Sequence, residues 1–122
     1  MKLFTIHQSE QLIKNGSTGY GQDHIPVVKL FLPGTNCTWL LTELNPEYTS
    51  HAFGLCDLGT GFPELGSVDL EELQSIRVAG IFQVEKDLFF KAKYPISVYA
   101  RAASHHEAII EDETILAKFV RK

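Results

Sequence analysis

Disulfides, long apolar runs and low-complexity segments are missing or scarce in this sequence. Its 122 residues include two cysteines, which are too few for the disulfide framework of a small secreted domain. No stretch approaches the roughly 18 consecutive apolar residues of a membrane-spanning helix. Nine glycines and five prolines lie well below the fraction typical of low-complexity chains. These absences predict an ordinary folded domain that needs neither disulfides nor a bilayer.

A strong excess of charge of one sign is missing as well. The chain has 11 Lys and Arg against 15 Asp and Glu, for a formal net charge of -4. This charge excludes a broad basic footprint for nucleic acid, although it leaves room for a local patch, and it is too small for a protein that imitates DNA. The segment 1–8 turns polar before a signal-peptide core is complete. Together with the low cysteine content, this predicts a cytoplasmic protein with reduced thiols.

Apolar residues are plentiful enough to form one core. Hydrophobic residues make up 44% of the chain, and a domain of this size buries about 65% of its extended surface on folding. We therefore predict a single domain over residues 1–122. Three short runs rich in Val, Leu, Phe, Thr and Trp, at 26–32, 37–44 and 52–58, alternate with turn-forming segments. This pattern is typical of an antiparallel meander.

Turns at 33–36 and near Tyr48 set the register expected for these three strands. The predicted neighbours are Leu30, Trp39 and Asp57 on one face, and Lys29, Leu40 and Cys56 on the other. Cys37 and Cys56 then point to opposite faces, which argues against a disulfide or a shared metal and predicts buried free thiols.

Local signals predict the helices and the remaining strands. Thr5 and Gln8 fit a capping box for a helix over 5–15, with Asn15-Gly16 as a left-handed stop and a mobile loop at 16–23. The next predicted elements are a strand over 65–68, a helix over 70–77 capped by Asp69, and extended runs at 81–87 and 88–94. A further helix is predicted to open at Pro95 or Ser97, with Val98, Ala102, Ile109 and Ile110 as its apolar members. The last predicted element is a helical tail over 114–120. We predict an α+β fold with a mainly antiparallel sheet of about four to six strands, helices packed on one face, and a C-terminal helical extension.

Four segments carry a resemblance to a known family: PVVKLF at 26–31, TWLLTEL at 38–44, FGLCDLG at 53–59 and GFPELG at 61–66. In this combination they resemble the bacterial family labelled domain of unknown function 2958. The resemblance covers about 2–101, and the extension at about 104–122 departs from the family pattern. It implies a protein encoded on a plasmid or another mobile element, and it implies no particular activity.

Three carboxylates are candidates for chemistry. Asp57 and Glu64 flank the turn after the third strand, and Glu43 closes the second strand, so all three are expected near one end of the sheet. Paired carboxylates divide acid and base roles or bind a hard cation. The alternative is structural, because an Asp before a glycine turn often accepts the backbone amides of that turn. We favour the structural role.

Metal-binding and nucleophilic patterns are weak. His24, His51, Cys37 and Cys56 lack the spacing of a zinc site, and a carboxylate next to Cys56 disfavours its thiolate. The sequence therefore predicts no metal and no cofactor.

One basic and aromatic strip runs from Lys86 to Arg101 and is a weak candidate for single-stranded nucleic acid. Its candidate contacts are Lys86, Lys91, Lys93, Arg101, Phe90 and Tyr94. The alternative is a set of core aromatics with lysines that protect a sheet edge. Because Glu85 and Asp87 dilute the charge, we favour this alternative.

The tail offers a third candidate surface, in which Ile115, Leu116 and Phe119 form the apolar side of a helix beside an acidic segment. Such a helix docks on a partner protein or on a second copy of the chain, or it is a solvated helix start.

We expect a non-catalytic binding protein, an accessory of a bacterial mobile element that contacts another protein. The alternatives are a single-stranded nucleic-acid accessory protein and a small enzyme or metal-binding protein built on the three carboxylates. The oligomeric state stays open.

Overall fold

The structure is a computed structural model that describes residues 3–19 and 22–121. Its helices are α1 (Ile6–Gly16), α2 (Leu70–Ser75), α3 (Ile96–His106) and α4 (Glu113–Leu116), which continues as a 3-10 helix over Ala117–Phe119. Its strands are β1 (Val28–Phe31), β2 (Thr38–Leu44), β3 (His51–Asp57), β4 (Glu64–Asp69) and β5 (Glu85–Lys86). The predicted mobile loop includes Tyr20 and Gly21, which lie outside the described residues. No described helix is long and apolar enough to cross a membrane.

The strands form one antiparallel sheet in the order β4-β3-β2-β1-β5. The α+β class and the central meander of β1, β2 and β3 are therefore confirmed. The extended runs predicted at 81–87 and 88–94 are mostly irregular, since only Glu85–Lys86 pairs as a strand, with β1. The sheet is thus bounded by a two-residue strand on one side and by the six-residue β4 on the other.

A β-bulge in β2 changes the register that the turns predict for β2 and β3. Glu43 pairs with Phe53 near the turn, as predicted, whereas Trp39 pairs with Cys56 rather than with Asp57. The expected neighbours are therefore wrong by one residue in β3, because a bulge places an extra residue on one strand. The observed neighbours are Leu30, Trp39 and Cys56 on one face, and Lys29, Leu40 and Leu55 on the other.

Helix α1 is fixed to this bulge. The Asn15 side chain donates from Nδ2 to the carbonyl oxygen of Thr42 at 2.9 Å, and the Thr42 hydroxyl donates to the Phe53 carbonyl at 3.2 Å. A Cβ on Gly16 would lie 1.9 Å from the Leu44 carbonyl oxygen. Gly16 is the last residue of α1 and lacks a positive φ, so the predicted left-handed stop is wrong. The glycine is needed instead for close approach to β2.

Helices pack on both faces of the sheet, whereas the sequence predicted one face. The first core lies under α1 and α2 and contains Leu3, Leu12, Val28, Leu30, Leu32, Trp39, Leu41, Leu44, Ala52, Leu70, Leu73 and Val84. The second core lies under α3 and α4 and contains Leu40, Leu55, Ile96, Val98, Tyr99, Ala102, Ala103 and Leu116. Cys37 and Cys56 are both half-buried free thiols against the first core, which corrects their predicted placement on opposite faces.

The predicted helix boundaries hold at the starts and shift at the ends. The capping box of Thr5 and Gln8 is present, with backbone-to-side-chain bonds of 3.0 and 3.1 Å. Asp69 caps α2, which ends at Ser75, two residues before the predicted end. Helix α3 begins after Pro95 and stops before Glu107, which has a φ of 61°. Ile109 and Ile110 consequently lie beyond the helix, although both pack against the second core.

The C-terminal extension is part of this fold. Leu116 is fully buried in the second core. Arg101 on α3 donates from Nε and Nη2 to the carbonyl oxygen of Phe119, at 2.9 and 2.6 Å. Lys29 on β1 pairs with Glu111 at 2.7 Å. These contacts attach the extension to α3 and to the sheet.

Candidate functional site

The three carboxylates predicted near one end of the sheet do not come together. Glu43 pairs with Phe53 near the β2–β3 turn, whereas Asp57 ends β3 at the opposite end of the sheet. Glu64 pairs with Cys56, the residue before Asp57, and therefore points to the opposite face from Asp57. The prediction of a common locus is wrong because the length of the sheet and the alternation of faces separate these groups.

Asp57 has the structural role that the sequence analysis favoured. Its Oδ1 accepts the backbone N–H of Gly59 at 2.9 Å, and its Oδ2 accepts the backbone N–H of Ile109 at 3.2 Å. The residue is 4% exposed and borders a polar cavity of about 430 Å³. Both oxygens are therefore used to join the turn after β3 to the segment that follows α3.

Replacing Asp57 with alanine should lower the free energy of unfolding by about 2 kcal/mol, because the backbone amides of Gly59 and Ile109 both lose the acceptor that the buried Asp57 side chain provides. Asp57→Asn should cost less, since it keeps one acceptor oxygen. Urea unfolding, with and without millimolar MgCl₂, measures both effects. Magnesium-dependent stabilisation of the wild type that disappears in Asp57→Ala would contradict the structural role.

Cys56 is unsuited to act as a nucleophile. Burial, followed by the negative charge of Glu64, raises the pKa of its thiol to about 11. The thiol is therefore neutral at physiological pH, and the thiolate that attacks electrophiles is scarce. The neighbour that disfavours ionisation is the cross-strand Glu64 rather than the adjacent carboxylate.

The basic and aromatic strip is divided by the fold. Phe90 and Tyr94 pack against the second core, and Arg101 is bonded to the tail. Lys86 donates to the Gln8 side chain at 3.0 Å. Among the candidate contacts, Lys91 and Lys93 are left on the surface, so the strip is not a continuous platform for stacked bases.

The tail residues are also engaged within the chain. Leu116 is fully buried, Phe119 packs against the second core beside His105 and His106, and Ile115 is half-buried. The apolar side of the predicted helix thus covers the protein's own sheet. It is not available to dock a partner while the tail keeps this position.

A cleft of about 620 Å³ lies between the second-core face of the sheet and the start of α3, and we call it the Glu43 cleft. It is lined by Gly16, Gly19, Gln22, Asp23, Glu43, Asn45, Pro46, His51, Ala52, Phe53, Leu65, Ser67, Ile96 and Ser97. These lining residues include two carboxylates and one histidine but no lysine or arginine. The cleft is acidic and joins the ends of four elements, α1, β2, β3 and α3.

Glu43 is the one carboxylate of the predicted set that lines this cleft. Burial raises the pKa of its carboxyl above the usual value, and the nearby His24 partly offsets the rise. The side chain is half-buried, and it makes no hydrogen bond or ion pair with the residues that the structure describes. A partly buried carboxyl of this kind can pair with a cationic ligand, which would offset the burial that favours its neutral form.

The other polar residues of the cleft were not predicted to lie there: Asp23 was not singled out from the sequence, and His51 was considered only as a weak metal ligand. Asp23 caps α3 from a distance, since its Oδ1 accepts the Ser97 N–H at 3.0 Å and its Oδ2 accepts the Ser97 hydroxyl. His51 lies 4.0 Å from the Asp69 carboxylate across β3 and β4. The sequence signal was the absence of a capping side chain at Pro95, which left the amides of α3 in need of a distant acceptor.

Strand β4 borders the cleft and has β3 as its one neighbour among the described strands. The Leu70 N–H donates to the Ser50 carbonyl at 2.7 Å, which marks this pair as hydrogen-bonded in the β3–β4 ladder. Because bonded and non-bonded pairs alternate in antiparallel ladders, Glu64, Gly66 and Val68 bond to β3. The backbone groups of Leu65 and Ser67 therefore point away from the sheet.

The described residues bring no three His, Cys, Asp or Glu side chains together in a way that could hold a metal ion. The Glu43 cleft and the free edge of β4 are two adjoining surface features, an acidic groove and an unpaired strand, that could each accept a ligand. No curated protein and no solved structure shows significant similarity to the chain.

A family model does match, over residues 3–110. The matched region includes all of α3, so the family-like part extends further than the resemblance over 2–101 implied. Because it spans most of the 122 residues, the chain belongs to the family described as Protein of unknown function (DUF2958).

Proposed function

We propose that this protein is a non-catalytic binding protein, a cytoplasmic accessory of a bacterial mobile element, that captures an extended segment of another protein along β4. The observation that carries the proposal is the free edge of β4, a six-residue strand with one strand neighbour among the described residues. An added strand forms main-chain hydrogen bonds to such an edge, and adjacent pockets select its side chains.

Strand β4 has few of the features that usually protect an edge, apart from the charged Glu64 and Asp69 at its two ends. Its sequence ELGSVD contains no lysine or proline, and its pairing with β3 runs without a bulge. Natural edges are commonly blocked by such residues, by bulges or by covering elements. The opposite edge, β5, is only two residues long. The difference between the two edges favours β4 as a place for strand addition.

Exposed apolar side chains lie at the start of this edge. Phe62, two residues before β4, is 81% exposed, and Leu65 within it is 45% exposed. Large apolar side chains beside unpaired backbone groups provide contact area for a partner. A bound strand would cover them in part, which adds apolar burial to the hydrogen bonds of the backbone.

Selection of twelve-residue linear peptides from a random display library on the full chain tests this function. We expect binders whose affinity is kept in Ser67→Ala and falls about tenfold or more in Ser67→Pro, since proline removes an outward N–H and clashes with an incoming strand. The proline replaces no ladder donor of the folded protein, and circular dichroism confirms that each variant is folded.

A second measurement leaves the protein unchanged. N-methylation of alternate residues in a selected peptide should abolish binding in one register and spare it in the other, because every second amide of an added strand faces β4. Failure to select any peptide, or equal binding by Ser67→Pro and equal tolerance of both methylation registers, would contradict the proposed function.

A further inference from the structure

We propose that a second copy of this chain docks by inserting Leu88 and Phe89 into an apolar groove between α1 and α2 of its neighbour. The contact uses neither β4 nor the Glu43 cleft, so it goes beyond the proposed function and does not depend on it. Its two halves lie on different elements of the chain, which makes the association heterologous rather than a pairing of identical patches.

The turn after β5 presents two large apolar side chains to solvent. Leu88 is 77% exposed and Phe89 is 93% exposed. Asp87 holds this turn against β1, since its backbone N–H donates to the Lys29 carbonyl at 3.0 Å and its Oδ1 accepts the Phe89 N–H at 2.9 Å. We call the segment 87–90 the Phe89 turn. Because its backbone is bonded in place, the turn provides a fixed apolar anchor of the kind found at the centre of protein interfaces.

The segment after the turn adds positive charge on the outward side. Phe90 and Ala92 pack against the second core, whereas Lys91 and Lys93 are exposed. Lys93 lies over the ring of Tyr94 at 5.6 Å, and neither lysine has a carboxylate within ion-pair distance among the residues that the structure describes. The outward surface of 88–93 is therefore apolar at the turn and basic beyond it.

A groove of about 600 Å³ between α1 and α2 provides an apolar surface of matching character. It is lined by Leu3, Phe4, Ile6, Ser9, Glu10, Ile13, Leu44, Thr49, Ser50, Leu70, Glu71 and Gln74. Leu3, Leu44 and Leu70 are almost buried, whereas Ile6 is 72% exposed at the start of α1. The described residues thus leave an open apolar groove, and its volume is in the range that accepts one or two large side chains.

The charges at the groove are opposite to those beside the Phe89 turn. Glu10 and Glu71 are the charged residues of the lining, and both are exposed. Within 3–19 and 22–121, no basic side chain lies within ion-pair distance of either carboxylate. Opposite charges around an apolar contact select the partner and its orientation. Contact of turn with turn, or of groove with groove, would instead bring like charges together. The chain therefore carries both the groove and the segment that complements it.

Sedimentation of the full chain and of single variants tests this contact. We expect the wild type to associate as its concentration rises to about 500 μM, because a small interface gives weak affinity. Phe89→Asp removes the anchor, and Ile6→Lys removes an apolar wall and adds a charge that repels the lysines. Each should weaken association about tenfold or more. Ile81→Asp is the matched control, since Ile81 is 75% exposed and belongs to neither surface, and it should associate like the wild type.

A mixture of the two defective variants distinguishes this contact from any other. Phe89→Asp keeps an intact groove and Ile6→Lys keeps an intact turn. At a concentration where each variant alone is monomeric, an equimolar mixture should form a 1:1 complex that grows no further. Circular dichroism confirms that each variant is folded. A mixture that stays monomeric, or a wild type that stays monomeric over the whole range, would overturn the inference.

The variant Ser67→Pro separates this inference from the proposed function. Its association should equal that of the wild type, because Ser67 lies on β4 and outside both surfaces. Association that is lost in Ser67→Pro and kept in Phe89→Asp would show that two copies meet along β4 and would overturn the inference. Failure to select peptides that bind β4 would contradict the proposed function and would leave the contact between turn and groove in place.

Discussion

Replacing Gly54 with alanine is expected to lower the free energy of unfolding by about 3 kcal/mol, at the severe end of the effects of overpacking a core. A Cβ at this position would lie 1.9 Å from the carbonyl oxygen of Leu40 and 2.8 Å from the Cα of Leu41. Both atoms belong to the backbone of β2, which cannot move aside without breaking its pairing in the centre of the sheet. Thermal unfolding should show a melting temperature lower by about 10 °C.

The bulge in β2 explains why this glycine is required. Gly54 pairs with Leu41 at the point where the β2–β3 register shifts, and a bulged strand bends locally. Gly66 is the matched control because it pairs with Gly54 in β4, and a Cβ there would meet no atom within 4 Å. Gly66→Ala should change stability by less than about 1 kcal/mol. Similar losses for the two variants would contradict this account of the bulge.

The strands of the meander could be predicted from local sequence, and their register could not. Short runs rich in Val, Leu, Phe, Thr and Trp mark β1, β2 and β3, and the turns between them fix the pairing of Glu43 with Phe53. At the bulge, Thr42 accepts a hydrogen bond from Asn15 of the distant helix α1, 27 residues away in the sequence. The sequence pattern of a single strand does not predict such a long-range contact.

The two-sided packing of helices has a signal in the sequence of β2. Strand β2 contains Trp39, Leu40 and Leu41 in succession, all buried. A continuous apolar run is typical of a strand covered on both faces, whereas a strand covered on one face alternates. The α+β class follows from the order of elements, but the division into two cores follows from this run.

In the candidate site, too, features that depend on nearby residues could be predicted from the sequence, and features that depend on distant residues could not. Asp57 was correctly interpreted as a turn residue because Gly59 lies two positions away, within reach of a local rule. The Glu43 cleft depends on Asp23, which caps α3 across 74 residues, and on His51 and Ser67 from separate strands. Its members share no motif, so they become neighbours only after the sheet and α3 are assembled.

Replacing Leu116 with alanine should lower the free energy of unfolding by about 3 kcal/mol, because Leu116 is fully buried between α3 and the sheet and its loss leaves a cavity in the second core. Val120→Ala is the control: Val120 is 43% exposed at the end of the same tail, and we expect a change below about 0.5 kcal/mol. Urea unfolding of both variants measures the difference. If the tail instead served to dock a partner, Leu116 would contribute little to the isolated chain, and the two variants would be equally stable. A loss confined to Leu116→Ala would therefore show that the extension completes the fold.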